Sequence, residues 1–285
     1  MTGLLPDVAD LIDRAVQEDL GIGDATTDAL IPADLLATGV LSAKASGVLC
    51  GGAVAMAVFR RIDPSLAAEL MRPDGAALAP RDAIARVRGA AAGILKGERT
   101  ALNFLQHLSG VATQTARYVE AVQGTGARII DTRKTVPGLR ALEKEAVRAG
   151  GGRNHRQNLG DGVLIKDNHI AALRGVGLGL AEVVRLARER ASHTIRVEVE
   201  VTCLDEAQEA LEAGAELLLL DNMTPGEMGR VVAANRGRAV LEASGGITLE
   251  TVRAVAECGV DLISVGALTH SAPALDISMD LVYER

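Results

Sequence analysis

Aromatic residues are almost absent from the sequence, which has no tryptophan, two phenylalanines and two tyrosines in 285 residues. Proteins that bind single-stranded nucleic acids stack the bases on aromatic side chains, and a net charge of −7 opposes a polyanionic partner. The composition therefore predicts no nucleic-acid partner. A flat aromatic ligand would have to be held through its charged substituents.

Cysteines and long apolar runs are also scarce. Cys50, Cys203 and Cys258 lie far apart, which fits neither a disulfide framework nor a cluster of metal-binding thiolates. No run approaches the roughly 18 apolar residues of a membrane span. Residues 1–20 have no basic head and are acidic from Asp7 onward, unlike an export signal. We expect a cytoplasmic protein with no membrane partner.

Short β-branched or leucine-rich runs alternate with amphipathic stretches from about residue 125 onward. We predict six strands there, at 127–131, 162–166, 195–201, 216–221, 239–243 and 261–266. The last four begin about 22 residues apart, the length of a strand, a helix and two tight loops. The pattern predicts an incomplete α/β barrel of about six parallel strands. An open doubly wound sheet is the competing geometry.

The first hundred residues predict a different, α+β, domain with antiparallel strand pairing. We expect a helix at 6–20, then two short strands at 39–44 and 48–50 joined by Ala-Ser-Gly, and a second strand pair near 81–88. A long helix from about residue 98 onward leads into the barrel.

Polar residues occupy the carboxyl ends of the predicted barrel strands, where such barrels place their working residues. The first strand is followed by Thr132, Arg133 and Lys134, the second ends at Lys166 and the fourth ends at Asp221. Parallel strands present these ends at one edge of the barrel. We therefore expect the five side chains to share one site.

Valines and charged residues alternate along the third strand, and the valine face must meet the helices. The charged face therefore points into the barrel. Glu198 fits an interior ion pair and a functional role equally well, whereas Glu200, nearer the strand end, is the better functional candidate. Glu200 and Asp221 would suit sugar hydroxyls, a divalent metal or a developing cation.

Residues 131–169 carry eight basic and five acidic residues, a local excess of positive charge in an acidic protein. Some of the basic residues, including Lys144, fall on a predicted helix and are expected to face solvent. Those at strand ends or in the glycine-rich loop are Arg133, Lys134, Arg156 and Lys166. Their clustering implies an anionic substrate with several carboxylates or phosphates.

Glycine-containing segments follow each of the last two strands. They consist of Ser244, Gly245, Gly246, Val265, Gly266 and Ala267. Glycines there let backbone N–H groups approach a ligand, and with a following helix they form a phosphate cradle. Two such segments on consecutive strands favour a phosphate site over simple turns. The residues alone thus describe a barrel that binds a phosphorylated, polyanionic small molecule.

Eight motifs run nearly end to end through the chain: EDLGIGDATT (18–27), ERTALNFLQHLSGVAT (98–113), DTRKTVPGLRALEKEAVRAGGGRNHR (131–156), LIKDNH (164–169), EVEV (198–201), LLLDNM (218–223), EASGGI (242–247) and SVGALTHSAPALDISMDL (264–281). In this order they resemble the quinolinate phosphoribosyltransferase family, also called nicotinate-nucleotide pyrophosphorylase (carboxylating). The resemblance implies an N-terminal α/β sandwich domain at 1–112, joined by the C-terminal segment 271–285, and a catalytic barrel at 113–270. It also implies a homodimer, or a higher assembly of dimers, with shared active sites.

The resemblance implies phosphoribosyl transfer from phosphoribosyl pyrophosphate (PRPP) to quinolinate with Mg²⁺. The products are nicotinate mononucleotide, pyrophosphate and CO₂, in NAD biosynthesis. By the same resemblance, quinolinate would be bound by Arg133, His155, Arg156, Lys166 and, from the neighbouring subunit, Arg99, and Thr132 is a further substrate-binding residue. Lys134 and Lys166 match the pyrophosphate side, and Glu200 and Asp221 match the pair near the ribose hydroxyls or metal. These four are the implied catalytic residues, and the two glycine segments would cradle the 5′-phosphate.

Three alternatives stay open. A molybdenum-transport-associated paralogue shares the fold and much of the motif set, although the intact RKT, NHR and LIKDNH segments favour the pyrophosphorylase. A phosphosugar aldolase could use Lys166 as a Schiff-base lysine. A non-catalytic phosphate-ligand binder could use the same scaffold.

Overall fold

A computed structural model describes residues 6–284 of the chain. In chain order its elements are α1 Pro6–Leu20, α2 Ala25–Leu30, β1 Leu36–Ala43, β2 Gly47–Val48, α3 Gly52–Ile62, β3 Ala67–Leu70, β4 Ala77–Leu78, β5 Ala83–Ala90, α4 Ala91–Ala121, β6 Arg128–Ile130, α5 Arg140–Ala149, β7 Val163–Ile165, α6 Asp167–Arg174, α7 Leu180–Arg190, β8 Val197–Val201, α8 Leu204–Glu212, β9 Leu217–Asp221, α9 Pro225–Asn235, β10 Val240–Ser244, α10 Val252–Glu257, β11 Leu262–Ser264, α11 Ala267–His270 and β12 Ile277–Glu284.

The chain forms two compact units. The described parts of the first unit are residues 6–116, 136–151 and 271–284, and the second unit comprises residues 117–135 and 152–270. Residues 1–5 and 285, which belong to the predicted N-terminal domain and its C-terminal segment, lie outside the described residues. The domain bounds inferred from the sequence stay a prediction.

The first unit is built on a four-stranded antiparallel sheet with the order β12-β1-β5-β3. Every second residue of β1 is buried, from Ala37 to Ala43, because successive side chains of a strand point to opposite faces. Helices pack on this unit's core through apolar side chains such as Val58 and Phe59 of α3. Its architecture is the predicted α/β sandwich.

The predicted details of this unit are partly confirmed. The helix over Pro6–Leu20 is confirmed. The segments at 39–44 and 48–50 do not pair with each other, because β1 belongs to the large sheet and β2 pairs with β4 in a separate two-stranded sheet. The stretch at 81–88 is not a strand pair. Most of it lies in the single strand β5, which begins after Arg81 adopts a positive φ of 76°.

The long helix α4 begins at Ala91, seven residues before the predicted start at Glu98. Gly93 and Gly97 weaken the helical pattern of this first part, since glycine costs about 1 kcal/mol relative to alanine in a helix. Both are needed for close packing. A side chain at Gly97 would meet the ring of Phe59, and one at Gly93 would meet Asp63.

Residues 136–151 belong to the first unit, whereas the sequence placed them in the barrel. Helix α5 buries Leu142, Ala146 and Val147, and Gly150 lies so close to Ala112 of α4 that no side chain would fit. The expectation that Lys144 faces solvent is wrong, since its exposed fraction is 1%. Lys144 belongs to a run of buried α5 residues that also includes Leu142, Glu143, Ala146 and Val147.

The second unit contains a parallel six-stranded sheet with the order β6-β11-β10-β9-β8-β7. Strands that follow one another in the chain are neighbours except β6 and β7, and β6 pairs with the last strand, β11. A doubly wound sheet would instead start in its interior and grow toward both edges. The order therefore identifies a barrel left open between β6 and β7, where Ile130 and Arg153 form an isolated bridge.

None of the helices described between residues 6 and 284 is both long enough and apolar enough to cross a membrane.

Candidate active site at the carboxyl ends of the barrel strands

A cavity of about 330 Å³ opens at the carboxyl ends of the barrel strands. Nine of the residues predicted from the sequence line it: Thr132, Arg133, Lys134, His155, Arg156, Lys166, Glu200, Asp221 and Ser244. Leu164, Leu219, Glu242 and Ser264 complete the lining. The cationic side chains that the sequence grouped by strand position thus converge on one cavity.

The remaining predicted site residues lie outside this lining. Gly245 and Gly246 follow β10, and Val265 and Gly266 follow β11, its neighbour in the sheet. Ala267 begins the four-residue helix α11. The phosphate cradle at these segments stays a prediction. Arg99 is an exposed residue of α4 in the first unit, and its supply to a neighbouring subunit's site also stays a prediction.

Local hydrogen bonds hold Lys134 at the cavity. Its backbone N–H donates to Thr132 Oγ1 at 3.0 Å, and its carbonyl accepts from Thr269 Oγ1 at 2.7 Å. The Lys134 side chain passes Gly266, where an added Cβ would lie 3.1 Å from the lysine Cδ. The glycine after β11 therefore leaves room for this lysine.

Lys166 and Glu200 form an ion pair across neighbouring strands, with Lys166 Nζ 2.8 Å from Glu200 Oε2. The lysine side chain is 46% exposed and the glutamate 11%. At the end of the next strand, Asp221 Oδ2 accepts a hydrogen bond from Asn222 Nδ2 at 2.7 Å. The pocket thus presents one ion-paired carboxylate and one hydrogen-bonded carboxylate at adjacent strand ends.

The loop before β7 is anchored to the buried carboxylate of Asp131. Asn154 Nδ2 donates to Asp131 Oδ2 at 2.6 Å, and the His155 backbone N–H donates to Asp131 Oδ1 at 2.8 Å. The guanidinium of Arg156 in turn donates to the carbonyl of Gly162 at 3.0 Å. These bonds fix the loop that carries His155 and Arg156 into the cavity. The sequence motif contained Asp131 but gave no signal for this anchoring role.

Two carboxylates lie beneath His155 in the barrel interior. His155 Nε2 is 3.2 Å from Glu198 Oε2 and 3.6 Å from Glu242 Oε2. Both glutamates are buried, with exposed fractions of 5% and 1%. Sequence reasoning left the role of Glu198 open and missed Glu242, because the alternation on β10 is too short to mark an inward-facing acid.

Burial and neighbouring charges perturb this cluster strongly. Burial, reinforced by the charge of Glu198, raises the pKa of Glu242 to about 8. Burial opposes protonation of His155, but its hydrogen bond to Glu198 and the charge of Glu242 together raise its pKa. Burial, and then the positive charge of Arg133, lower the pKa of Arg156. Two guanidinium groups that repel each other in a cavity form a site for an anion.

The raised pKa of Glu242 makes stability depend on pH. A carboxyl group with a raised pKa in the folded state contributes its stability below the usual value of 4.5, and this is lost as the pH rises toward about 8. The pKa of His155 is also raised, so its contribution to stability is likewise lost as the pH rises. Glu242→Gln removes the titrating carboxyl group. We expect its melting temperature, relative to wild type, to rise by at least about 3 °C between pH 6 and pH 8.5.

Thermal melts of both proteins at intervals across this pH range measure the difference. Glu216→Gln is the matched control, because Glu216 lies just before β9 at the opposite end of the barrel and accepts a hydrogen bond from the Val197 N–H. Parallel curves for wild type and Glu242→Gln would contradict the prediction.

A larger open cleft of about 690 Å³ lies at the amino ends of the strands. Its arginines, Arg188, Arg196 and Arg238, are exposed, and Arg238 donates to helix-end carbonyls at Ala234 and Asn235. In α/β barrels this face serves stability, whereas the carboxyl ends carry the chemistry. The smaller cavity is therefore the candidate active site.

The fold and the cavity together define an α/β-barrel enzyme that acts on a polyanionic small molecule. Two family models match the chain: the N-terminal domain of quinolinate phosphoribosyl transferase over residues 24–109, and its C-terminal domain over residues 111–280. The chain belongs to the quinolinate phosphoribosyltransferase family.

Individual relatives match nearly full length. The chain is 44% identical to nicotinate-nucleotide pyrophosphorylase (carboxylating) of Mycobacterium leprae, covering 95% of this chain and 96% of the relative. It is 41% identical to the probable enzyme of that name from Bacillus subtilis, covering 95% and 92%. Among solved structures, NadC from Streptococcus pyogenes is 40% identical with a TM-score of 0.94, and each chain is fully covered.

Proposed function

We propose that the protein transfers the phosphoribosyl group of PRPP to quinolinate and releases pyrophosphate and CO₂, which yields nicotinate mononucleotide for NAD biosynthesis. The observation that carries this proposal is the convergence of Arg133, Arg156 and Lys166 on one cavity with Glu200 and Asp221. Quinolinate is a pyridine dicarboxylate, and guanidinium groups bind carboxylates through paired hydrogen bonds. The family match over both domains supports the same reaction.

The carboxylates of Glu200 and Asp221 suit the positive charge that develops during phosphoribosyl transfer. When the bond from the ribose anomeric carbon to pyrophosphate breaks, positive charge develops on the sugar ring, and Glu200 and Asp221 would stabilise it. The pyridine nitrogen then donates its electron pair to the anomeric carbon. The resulting ring cation accepts the electron pair of the adjacent carbon–carboxylate bond, CO₂ leaves, and a proton replaces it. No covalent enzyme intermediate is required.

Mg²⁺ is part of the proposal as the metal bound with PRPP. Carboxylate oxygens are the ligands that Mg²⁺ prefers, and Glu200 and Asp221 bring such oxygens to the same cavity. These two residues fit the metal and would hold it, directly or through the substrate. When bound, the ion would neutralise charge on the pyrophosphate, while Lys134 and Lys166 supply ammonium groups for the same leaving group.

The proposed assembly is a homodimer, or a higher assembly of dimers, in which Arg99 enters the neighbouring subunit's site. Its basis is the family resemblance, together with the exposure of Arg99 on α4. The cytoplasmic location inferred from the three separated cysteines stays a prediction.

The alternatives are less well supported than the transferase. A Schiff-base lysine needs an apolar site or a neighbouring cation that favours the neutral amine, whereas Lys166 is half-exposed and ion-paired with Glu200. The relatives named above carry neither a molybdenum-transport nor an aldolase name. A non-catalytic binder would form no product, so an assay of product formation distinguishes it from the enzyme.

Incubation of the purified protein with carboxyl-labelled quinolinate, PRPP and Mg²⁺ tests the proposal. We expect CO₂ and nicotinate mononucleotide in equal amounts, and no CO₂ when PRPP is omitted. Nicotinate, which has only one carboxylate, is the control compound, and we expect no release of CO₂ when it replaces quinolinate. An absence of product with quinolinate, or a lysine adduct trapped by borohydride with a phosphosugar, would contradict the transferase.

A further inference from the structure

The barrel interior beneath the candidate active site holds two buried carboxylates, and both face His155. Glu198 is on β8 and Glu242 is on β10, with β9 between them. One oxygen of each, Oε1, is buried and has no hydrogen-bond partner among residues 6–284. Buried polar groups are normally satisfied, and an exception calls for an explanation. Proteins rarely keep such a pair for stability, because apolar residues of similar volume serve as well or better.

His155 connects this carboxylate pair to the cavity. Its Nε2 faces Glu198 Oε2 and Glu242 Oε2, and a ligand atom of each of the three residues lies within 4.8 Å of the others. Its Nδ1 accepts a hydrogen bond from the backbone N–H of Arg156 at 2.6 Å. With Nδ1 accepting, Nε2 carries the hydrogen and donates toward the glutamates. Both ring nitrogens are therefore engaged, and the orientation of the ring is fixed.

The fixed His155 ring determines the position of the Arg156 backbone. The Arg156 backbone N–H is bonded to His155 Nδ1, and the preceding N–H, that of His155, is bonded to Asp131. Two consecutive backbone groups are thus tied to the barrel interior. A guanidinium binds a carboxylate through a rigid fork of donors. A shift of the Arg156 backbone would therefore displace this fork from the carboxylate of the ligand.

We propose that Glu198 and Glu242 are positioning residues, which set the affinity for the dicarboxylate substrate by holding His155 and, through it, Arg156. The inference rests on the proposed function and assigns to the two glutamates a role that the sequence motifs did not define. Both act through His155, since Glu198 lies outside the cavity lining and Glu242, which contributes to that lining, is only 1% exposed.

Leucine and glutamine variants test the proposal. Glu198→Leu and Glu242→Leu each remove one of the two acceptors that His155 Nε2–H faces, while keeping most of the side-chain volume. We expect each to raise the KM for quinolinate about 10- to 100-fold, and the KM for PRPP by less than about 2-fold. Glu198→Gln and Glu242→Gln keep an acceptor oxygen, and we expect a KM for quinolinate within about 3-fold of wild type. Steady-state kinetics at pH 7 measures both constants.

Thermal melts separate positioning from a general loss of structure. Because the two buried carboxylates repel each other, replacing one of them with leucine should leave the melting temperature close to that of wild type, while the affinity for quinolinate falls. Glu216→Leu is the matched control, since Glu216 lies at the amino end of β9, and we expect wild-type values of KM for both substrates.

Three results would overturn the positioning role. The first is a wild-type KM for quinolinate in both leucine variants. The second is an equal rise of both KM values. The third is a stoichiometric divalent metal in the purified wild type that Glu198→Leu loses, because the His155, Glu198 and Glu242 ligand atoms would then hold an ion. An inactive wild type would instead refute the proposed function, and the inference with it.

Discussion

Lys166→Ala is expected to reduce kcat/KM for quinolinate by about 10²- to 10³-fold, the usual cost of removing one charge that stabilises a transition state. Lys166 lines the cavity and its ammonium group lies 2.8 Å from Glu200. Its loss removes a cation from the anion site and leaves Glu200 without its ion-pair partner. Steady-state assays of the purified variant, together with a thermal melt, give the measurement.

Lys166→Arg distinguishes the role of charge from that of a nucleophilic amine. It keeps a cation, so we expect at least about 10-fold more activity than in Lys166→Ala. A Schiff-base enzyme would lose all activity in both variants. Arg230→Ala is the control, because Arg230 forms an exposed pair with Glu227 on α9, and it should behave as wild type. Near-normal rates in Lys166→Ala would show that the anions are bound elsewhere.

A mixture of two inactive variants is expected to recover activity. If Arg99 of one subunit completes the site of its neighbour, then Arg99→Ala and Lys166→Ala each disable every site of a homodimer. After subunit exchange, half of the dimers contain one chain of each kind. Each of these has one site with both substitutions and one intact site, so an equal mixture should reach about a quarter of wild-type activity.

The mixing experiment requires that the two variants exchange subunits and form mixed dimers. The two variants are unfolded together and refolded as an equal mixture, and each variant refolded alone gives the baseline. A mixture of Arg133→Ala with Lys166→Ala is the matched control, since both residues line the cavity of the same chain, and it should recover nothing. A mixture of Arg99→Ala with Lys166→Ala that stays at the baseline would contradict the shared site.

The barrel could be predicted from the sequence because its signals are local and periodic. Each strand from 162 to 266 is short, contains β-branched residues or leucine and is followed by a helix, and the polar residue at the strand end predicts the active edge. Lys166 and Asp221 were found in this way, and both line the cavity. Parallel strands bring their carboxyl ends together regardless of the details of packing, so the prediction needed no knowledge of side-chain contacts.

Features that depend on distant contacts could not be predicted. The pairing of β1 with β12 joins residues more than two hundred positions apart, and no local pattern specifies it. Glu242 was missed because a single acid in a five-residue strand gives no reliable inside-or-outside signal. The early start of α4 was missed because Gly93 resembles a helix breaker until its neighbour Asp63 is known. In each case a partner remote in sequence decides the structure.

The place of β12 at the edge of the first unit's sheet has a consequence for synthesis of the chain. Leu36 pairs with Glu284 and Ala43 pairs with Ile277, so β1 can pair with β12 only after the ribosome has synthesised the chain through these last residues of β12. Until then β1 exposes an unpaired edge, which is the kind of surface through which nascent chains aggregate. The parallel strands of the barrel are all translated earlier, so the amino-terminal sheet can complete its pairing only after every barrel strand has been made.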